Sequence, residues 1–325
     1  DYNTLTVGNR IVARFTLGTY ACPPFSLTSI NGLTVEDVNV YSCPSAVFYG
    51  TGANANFTFK NLNVAPKAGT PELFGANVDA IHVIGCSGKV NIENCSFIGM
   101  GDDALNVFSR AAKITAVNAS ANSVTCADAY DSANLSDTWC AAGDTIRFYK
   151  SDWTLVGTAT VTKLSGTTMT FSSLPAGVTT ACYMQNEKFI PSISITDTTV
   201  DGSRARAFMI RSEDVNITGC NIRNTRLSAI IVAADLTKWF EFGTADNVTI
   251  SGNTFENCCA AANTANYGTI AIKGCDDGGG ESFKAGVHKN ITITGNNFDK
   301  DGSSAIYASA VDGLTVTDNT FGTYA

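Results

Sequence analysis

Charge is scarce in this 325-residue chain: Asp, Glu, Lys and Arg together make up 15% of it, with 21 basic residues against 29 acidic ones. The net charge of −8 argues against nucleic acid and strongly anionic polymers as partners, because a polyanion needs a cationic face. No apolar run approaches the ~20 residues of a membrane-crossing helix, so no membrane span is expected. No convincing helical periodicity of apolar residues occurs, which disfavours a helical fold. No CxxC pair occurs among the eleven Cys, so the usual zinc spacing is missing. Apolar residues make up 44% of the chain, too many for disorder. The chain opens at Asp1 without Met or a signal peptide, as a mature or trimmed form would.

The high cysteine count, the few lysines and seven Asn-x-Ser/Thr sequons point to a secreted, oxidised protein. The sequons begin at Asn56, Asn94, Asn118, Asn134, Asn216, Asn247 and Asn290. Several have a blander origin, since Asn-Ile-Thr arises in a β repeat whose alternate positions face water. Cys126 and Cys140 form a candidate local disulfide, whereas Cys95 and Cys220 read as stacked interior thiols. An odd total leaves at least one cysteine free or paired to another chain.

The dominant pattern is a repeated phrase. Val90-Asn91-Ile92-Glu93-Asn94-Cys95-Ser96-Phe97 returns as Val215-Asn216-Ile217-Thr218-Gly219-Cys220-Asn221-Ile222. Further copies occupy 248–255, 291–298 and 314–321, and looser ones 33–40, 57–64 and 193–200. Several steps are 22 to 24 residues, a period that signals a solenoid. Alternating Val, Ile, Thr and Phe with Asn/Gly turns makes each coil strands and turns, so the expected fold is an all-β parallel β-helix. The column Cys95, Cys220, Asn253, Asn296, Asn319 would stack at about 4.8 Å and let its asparagines form a ladder. The phrase vanishes between Ala111 and Ile190, where Gly143 to Tyr149 and 156–174 read as short antiparallel strands of an inserted β-barrel or β-sandwich. The expected division is 1–28 as an entry or cap segment containing a strand near 7–12, 29–110 as the first helical part, 111–190 as the insert and 191–325 as the second part. The repeat runs to Phe321 and leaves an uncapped strand edge, which suits self-association.

A second phrase carries the chemistry. An Ala followed by an alternating strand recurs at Ala80, Ala104, Ala207, Ala229 and Ala305. Before the Ala stand Ser45, Asp79, Asp103, Arg206, Ser228 and Ser304. Two places after it stand Phe48, His82, Asn106, Met209, Ile231 and Tyr307. Alternation puts Ile81 and Leu105 inside and His82 and Asn106 outside, with the Ala column also outward as a shallow floor. Asp79, Asp102, Asp103, His82 and Asn106 then converge on one patch, with Arg204 and Arg206 on the next rung. Carboxylates about 5 Å apart repel and one pKa should rise. Glycoside hydrolysis uses such a set, one carboxyl protonating the leaving oxygen and another activating water. The alternative is that these acids make turn hydrogen bonds. Beside a sugar site Trp239 would serve as a stacking platform; alone it would be packing.

These residues resemble glycoside hydrolase family 110. The resemblance rests on Asp79-Ala80-Ile81-His82, Gly85 to Val90, Gly99-Met100-Gly101-Asp102-Asp103-Ala104-Leu105-Asn106-Val107, Arg204-Ala205-Arg206 and Trp239-Phe240-Glu241-Phe242-Gly243 followed by Asn247 to Ile250. It covers roughly Leu33 to the C-terminus. It implies a right-handed parallel β-helix with an inserted antiparallel β-barrel, and removal of terminal α-1,3-linked galactose with inversion. Carried over, Asp79, Asp102 and Asp103 are the catalytic acids, and Glu241, Arg204, Arg206 and His82 line the galactose pocket. By analogy with the more distant polygalacturonases, Asp102 is the general acid, and Asp79 and Asp103 activate water. The Gly-His-Gly and Arg-Ile-Lys signatures of polygalacturonases are missing, and Phe108 stands where family 110 usually has His.

The expectation is a secreted inverting glycosidase needing no metal or organic cofactor, with carbohydrate as its partner. A Ca²⁺-dependent lyase fits less well, since no basic residue except the Arg pair stands at a matching rung. Two other readings are a structural β-helix of an extracellular fibre and a carbohydrate-binding β-helix without turnover. An acid–base gap of roughly 6.5–9.5 Å, open to solvent, would fit inversion, and a buried trio a structural role.

Overall fold

The computed structural model describes residues 6, 8, 20–135, 138–260, 267–275, 283–299 and 304–322. The strand expected near 7–12 lies outside them apart from Gly8. Three parallel sheets run the length of a β-helix. The second sheet has eight strands, Asn31–Glu36, Asn54–Lys60, Cys86–Glu93, Ser192–Thr196, Glu213–Thr218, Asp246–Ser251, His288–Thr294 and Val311–Thr317, one for each copy of the first phrase. Their register stacks Leu33, Phe57, Val90, Ile193, Val215, Val248, Ile291 and Leu314. Alternate positions point into one continuous core, where Phe255 and Phe298 stack at 4.9 Å; the exposed Phe321 continues the stack at 5.3 Å.

Every copy turns from the second sheet to the third on a left-handed residue. Asp37, Asn61, Asn94, Asp197 and Asp318 have φ between 49 and 59°, and Gly219, Gly252 and Gly295 between 63 and 67°. Only Gly, Asn and Asp take that conformation cheaply, which explains the fifth letter of the phrase. The interior column follows: Cys220 N–H donates to Asn253 Oδ1, and Asn253 Nδ2 and Asn296 Nδ2 donate to the next Asn along, at 3.0 and 2.9 Å. Thr198 stands between Cys95 and Cys220, a member the spacing alone did not place.

The first sheet carries Phe25–Thr28, Phe48–Thr51, Ile81–Ile84, Leu105–Arg110, Phe208–Ile210, Ile230–Ala233, Gly268–Lys273 and Ser304–Ala308. Directly after Arg110 the chain leaves to build a closed antiparallel barrel from Ala112–Asn118, Ser123–Asp128, Thr145–Tyr149, Leu155–Ser165, Thr168–Phe171 and Tyr183–Asn186. It then re-enters at Ser192–Thr196, which pairs with Cys86–Glu93 as if nothing had intervened. The barrel has its own core around Phe148, Phe171 and Met184. Cys126 and Cys140 lie in that core as separate thiols, each donating to a carbonyl, so the expected local disulfide is not formed. Cys95 and Cys220 are buried thiols of the helix core, as expected.

Two columns need correction. Ala80, Ala104, Ala207 and Ala229 are buried in the helix core rather than outward, because the strands begin only after them and a bend interrupts the two-residue alternation. Phe48 pairs with Ile81, so Tyr49 is the residue level with His82, and the register places Ala46, not Ser45, level with Asp79.

Candidate functional site

Asp79 and Asp103 sit at the corner where the third sheet turns into the first, on neighbouring coils. Their side chains clasp the stack: Asp79 Oδ1 accepts from Asp103 N–H at 3.0 Å, and Asp103 Oδ1 accepts from Arg206 N–H at 3.0 Å. One oxygen of each acid is therefore engaged in a structural bond, but between coils rather than within a turn. The other Asp79 oxygen is 2.5 Å from His82 Nδ1 and accepts from Tyr20 Oη at 3.4 Å. Asp79 and Asp103 are only 2% and 3% exposed, whereas the Asp102 side chain is 35% exposed. Arg206 Nη1 lies 3.6 Å from Asp103 Oδ1, and Arg204 Nη2 lies 3.6 Å from Asp102 Oδ2.

The three carboxylates each offer an oxygen within 4.8 Å of the others. That is closer than the expected gap of roughly 6.5–9.5 Å. Burial pushes the Asp103 carboxyl well above the usual range; Arg206 opposes this, and the charges of Asp79 and Asp102 add to it. The trio is also the one His/Cys/Asp/Glu group, among the described residues, whose atoms lie close enough to share a cation. Arg204 and Arg206 already bring positive charge to it.

The trio lies in a cavity of about 440 Å³. His82 and Asn106 face it from paired strands of the first sheet, as alternation requires. Across it Glu241 Oε2 accepts from Asn106 Nδ2 at 3.2 Å and from Arg211 Nη1, which also donates to Asn106 Oδ1 at 3.0 Å. Arg211 is anchored by its Nε on Ala233 O at 2.9 Å. Trp239 is half exposed on the rim and stacks on Tyr130 of the inserted barrel at 6.0 Å. Asp235 fixes that rim by accepting from the N–H groups of Thr237, Lys238 and Trp239. Arg204 stays outside the lining and reaches the site only through Asp102; its Nε donates to Gly101 O.

The sequence reading missed Tyr20, Tyr49, Arg110, Tyr130 and Arg211. Tyr20 packs tilted against His82 at 4.6 Å and stacks on Tyr49 at 5.0 Å, and burial raises its hydroxyl pKa, with Asp79 adding to the effect. Correct register at Phe48 would have exposed Tyr49. Arg211 lies two residues beyond Met209, on the same strand face, and alternation could have found it. Tyr20 and Tyr130 come from an entry segment and a barrel loop and have no signal in the repeat.

The sequons fall on the surface in two ways. Asn94 in a turn, and Asn56, Asn247 and Asn290 within strands of the second sheet, are left-handed residues whose amide nitrogens donate to Asn61, Asn31, Asp214 and Asp246 on the preceding coil at 2.6–2.9 Å. Asn118 caps a short 3₁₀ turn, and Asn134 and Asn216 lie exposed.

Two family models match the chain: right handed beta helix region over residues 180–323, and glycosyl hydrolases family 28 over 22–127. Alpha-1,3-galactosidase B of Bacteroides thetaiotaomicron is 26% identical over 82% of this chain and 44% of its own length. Alpha-1,3-galactosidase A of Akkermansia muciniphila is 28% identical over 82% and 44%, and alpha-1,3-galactosidase A of B. thetaiotaomicron 28% over 89% and 50%. The chain spans half or less of the length of these curated relatives. Over most of its own length it is related to alpha-1,3-galactosidases, and the homology is to glycosidases.

Proposed function

We propose that this chain is the catalytic β-helix of a secreted, exo-acting glycosidase that releases a terminal α-1,3-linked galactose with inversion. The observation that carries the proposal is the carboxylate trio, with oxygens within 4.8 Å of one another on adjacent coils of an open cavity. The galactose and its linkage rest on the named activity of the relatives. Asp102, the exposed acid, protonates the leaving oxygen. Asp79 and Asp103 hold and deprotonate the water. The raised pKa of Asp103 makes it the stronger base once ionised. Spacing does not assign the stereochemistry; exposure supports it. A covalent route needs a carboxylate that an anomeric carbon can reach, and Asp79 and Asp103 are buried, each with an oxygen already engaged by a backbone N–H. Glu241, Arg211 and Asn106 offer paired donors and acceptors for ring hydroxyls, and Trp239 with Tyr130 meets the next sugar.

The test is release of galactose from an α-1,3-galactoside, with the first-formed anomer read by NMR. The β-anomer is expected, and an α-anomer overturns inversion. Asp102→Asn should lose at least about 100-fold on the glycoside but much less on α-galactosyl fluoride, whose leaving group needs no acid. Asp103→Asn should lose both; unchanged hydrolysis would refute the assignment. EDTA should leave the rate unchanged, and abolition would overturn the metal-free mechanism. Because Asp79 and Asp103 also bond the coils together, a binding role without turnover is the second reading; it predicts galactoside affinity with no product.

A further inference from the structure

We propose that Trp153, in the inserted barrel, is a positioning residue for Glu241. It stands at the tip of the hairpin joining Thr145–Tyr149 to Leu155–Ser165, where Trp153 N–H donates to Lys150 O at 3.0 Å. Its φ is +64°, a left-handed conformation that a bulky residue adopts only when its surroundings hold it there. A residue chosen for the turn alone would be Gly or Asn. Yet the side chain is only 5% exposed, with its ring 4.7 Å from that of Phe242. Tyr149 and Tyr183 of the barrel complete the grip at 5.9 and 6.3 Å. Phe242 belongs to the two-residue strand Glu241–Phe242, paired antiparallel with Ser109 and Arg110. That strand is bracketed by Phe240 at φ +53° and Gly243 at φ +141°, where a Cβ would stand 2.1 Å from Arg211 O. So short a strand needs support from outside. Successive side chains alternate, so Phe242 enters the barrel cluster while Glu241 faces the cavity and meets Asn106 and Arg211. The barrel is pinned to the helix elsewhere by Arg147 to Glu213 and by Trp139 Nε1 to Arg110 O, contacts that do not involve Trp153. The insert thus holds a sugar-binding carboxylate from behind.

The sugar-binding part rests on the glycosidase reading; the positioning does not. Trp153→Asn keeps a residue that tolerates the turn, and Trp153→Phe keeps an aromatic. Amide hydrogen exchange at Arg110, Glu241 and Phe242 should quicken about 10-fold or more in Trp153→Asn, stay near wild type in Trp153→Phe, and remain unchanged at Ile146 and Phe148 of the barrel. Galactose affinity should fall about 10-fold in Trp153→Asn and show no further fall when Glu241→Gln is already present, since coupled residues are not additive. Unchanged exchange at Glu241 and Phe242, loss of protection throughout the barrel, or losses that multiply in the double variant would each overturn the proposal. If the wild type neither binds nor cleaves galactosides, the glycosidase reading falls while the exchange measurement still decides the positioning.

Discussion

At Asp103 stability and chemistry pull in opposite directions. Its folded pKa is raised, chiefly by burial, so the native state holds the proton more tightly than the unfolded chain does. The stabilisation is complete below the ordinary carboxylate value of about 4 and is lost as pH rises through the folded value. Asn keeps the acceptor for Arg206 N–H and cannot ionise. Asp103→Asn should therefore melt higher than wild type at pH 7, by about 2 °C or more, and gain nothing below pH ~4. Thermal melts across that range decide it, and equal melting at pH 7 would sink the idea. The acids were legible because Asp79 and Asp103 stand, with Arg206 beside them, where later coils have Ser228 and Ser304. Arg211 was overlooked although alternation puts it on the face of Met209, because nothing in the sequence marks Glu241 and Asn106 as its partners.

The turn and the Asn ladder are properties of whole coils. Asn296 Nδ2 donates to Asn319 and to Ile250 O, and its Oδ1 accepts from the N–H and Nδ2 of Asn253. Asn296→Ala leaves those buried groups unpaired and should cost about 1–3 kcal/mol in urea unfolding, against a few tenths for an exposed Thr→Ala on the same coil. The exposed Asn ladders bear on modification too. Made in a glycosylating host, the chain should carry glycan at Asn134 and Asn216 far more than at Asn56, Asn94, Asn247 and Asn290, because a glycan replaces one of the two amide hydrogens and adds bulk to a nitrogen held against the preceding coil. Glycopeptide mass spectrometry reads this directly, and equal occupancy would mean that the ladder forms after modification.

Across the whole molecule, the eight phrases translated into eight strands because a two-residue alternation and a left-handed turn leave their mark on every coil. The reading failed where that alternation stops. The Ala column lies before the strands begin, and Phe48 was misplaced because Ala46 of its coil stands level with Asp79 rather than with Ala80, in a turn of the same length. The barrel was legible as antiparallel strands, but its contribution to the cavity through Tyr130 was not, since contacts between two cores have no period. The helix and barrel cores are separate, joined by the cluster around Trp153 and Phe242. Calorimetry should accordingly show two unfolding transitions, and a single two-state transition would make them one cooperative unit.

The insertion also sets a timetable. Asp103 and the Arg206 backbone N–H that it clasps are 103 residues apart in the chain. At about 5–20 residues per second of synthesis, the acidic corner waits roughly 5–20 s for its guanidinium. During most of that interval the ribosome delivers the barrel, and the coil stack resumes only at Ser192–Thr196. Glu241, its support already waiting in the barrel, arrives later still. The floor of the cavity is thus laid down first, its buttress second, and the group that closes the far wall last.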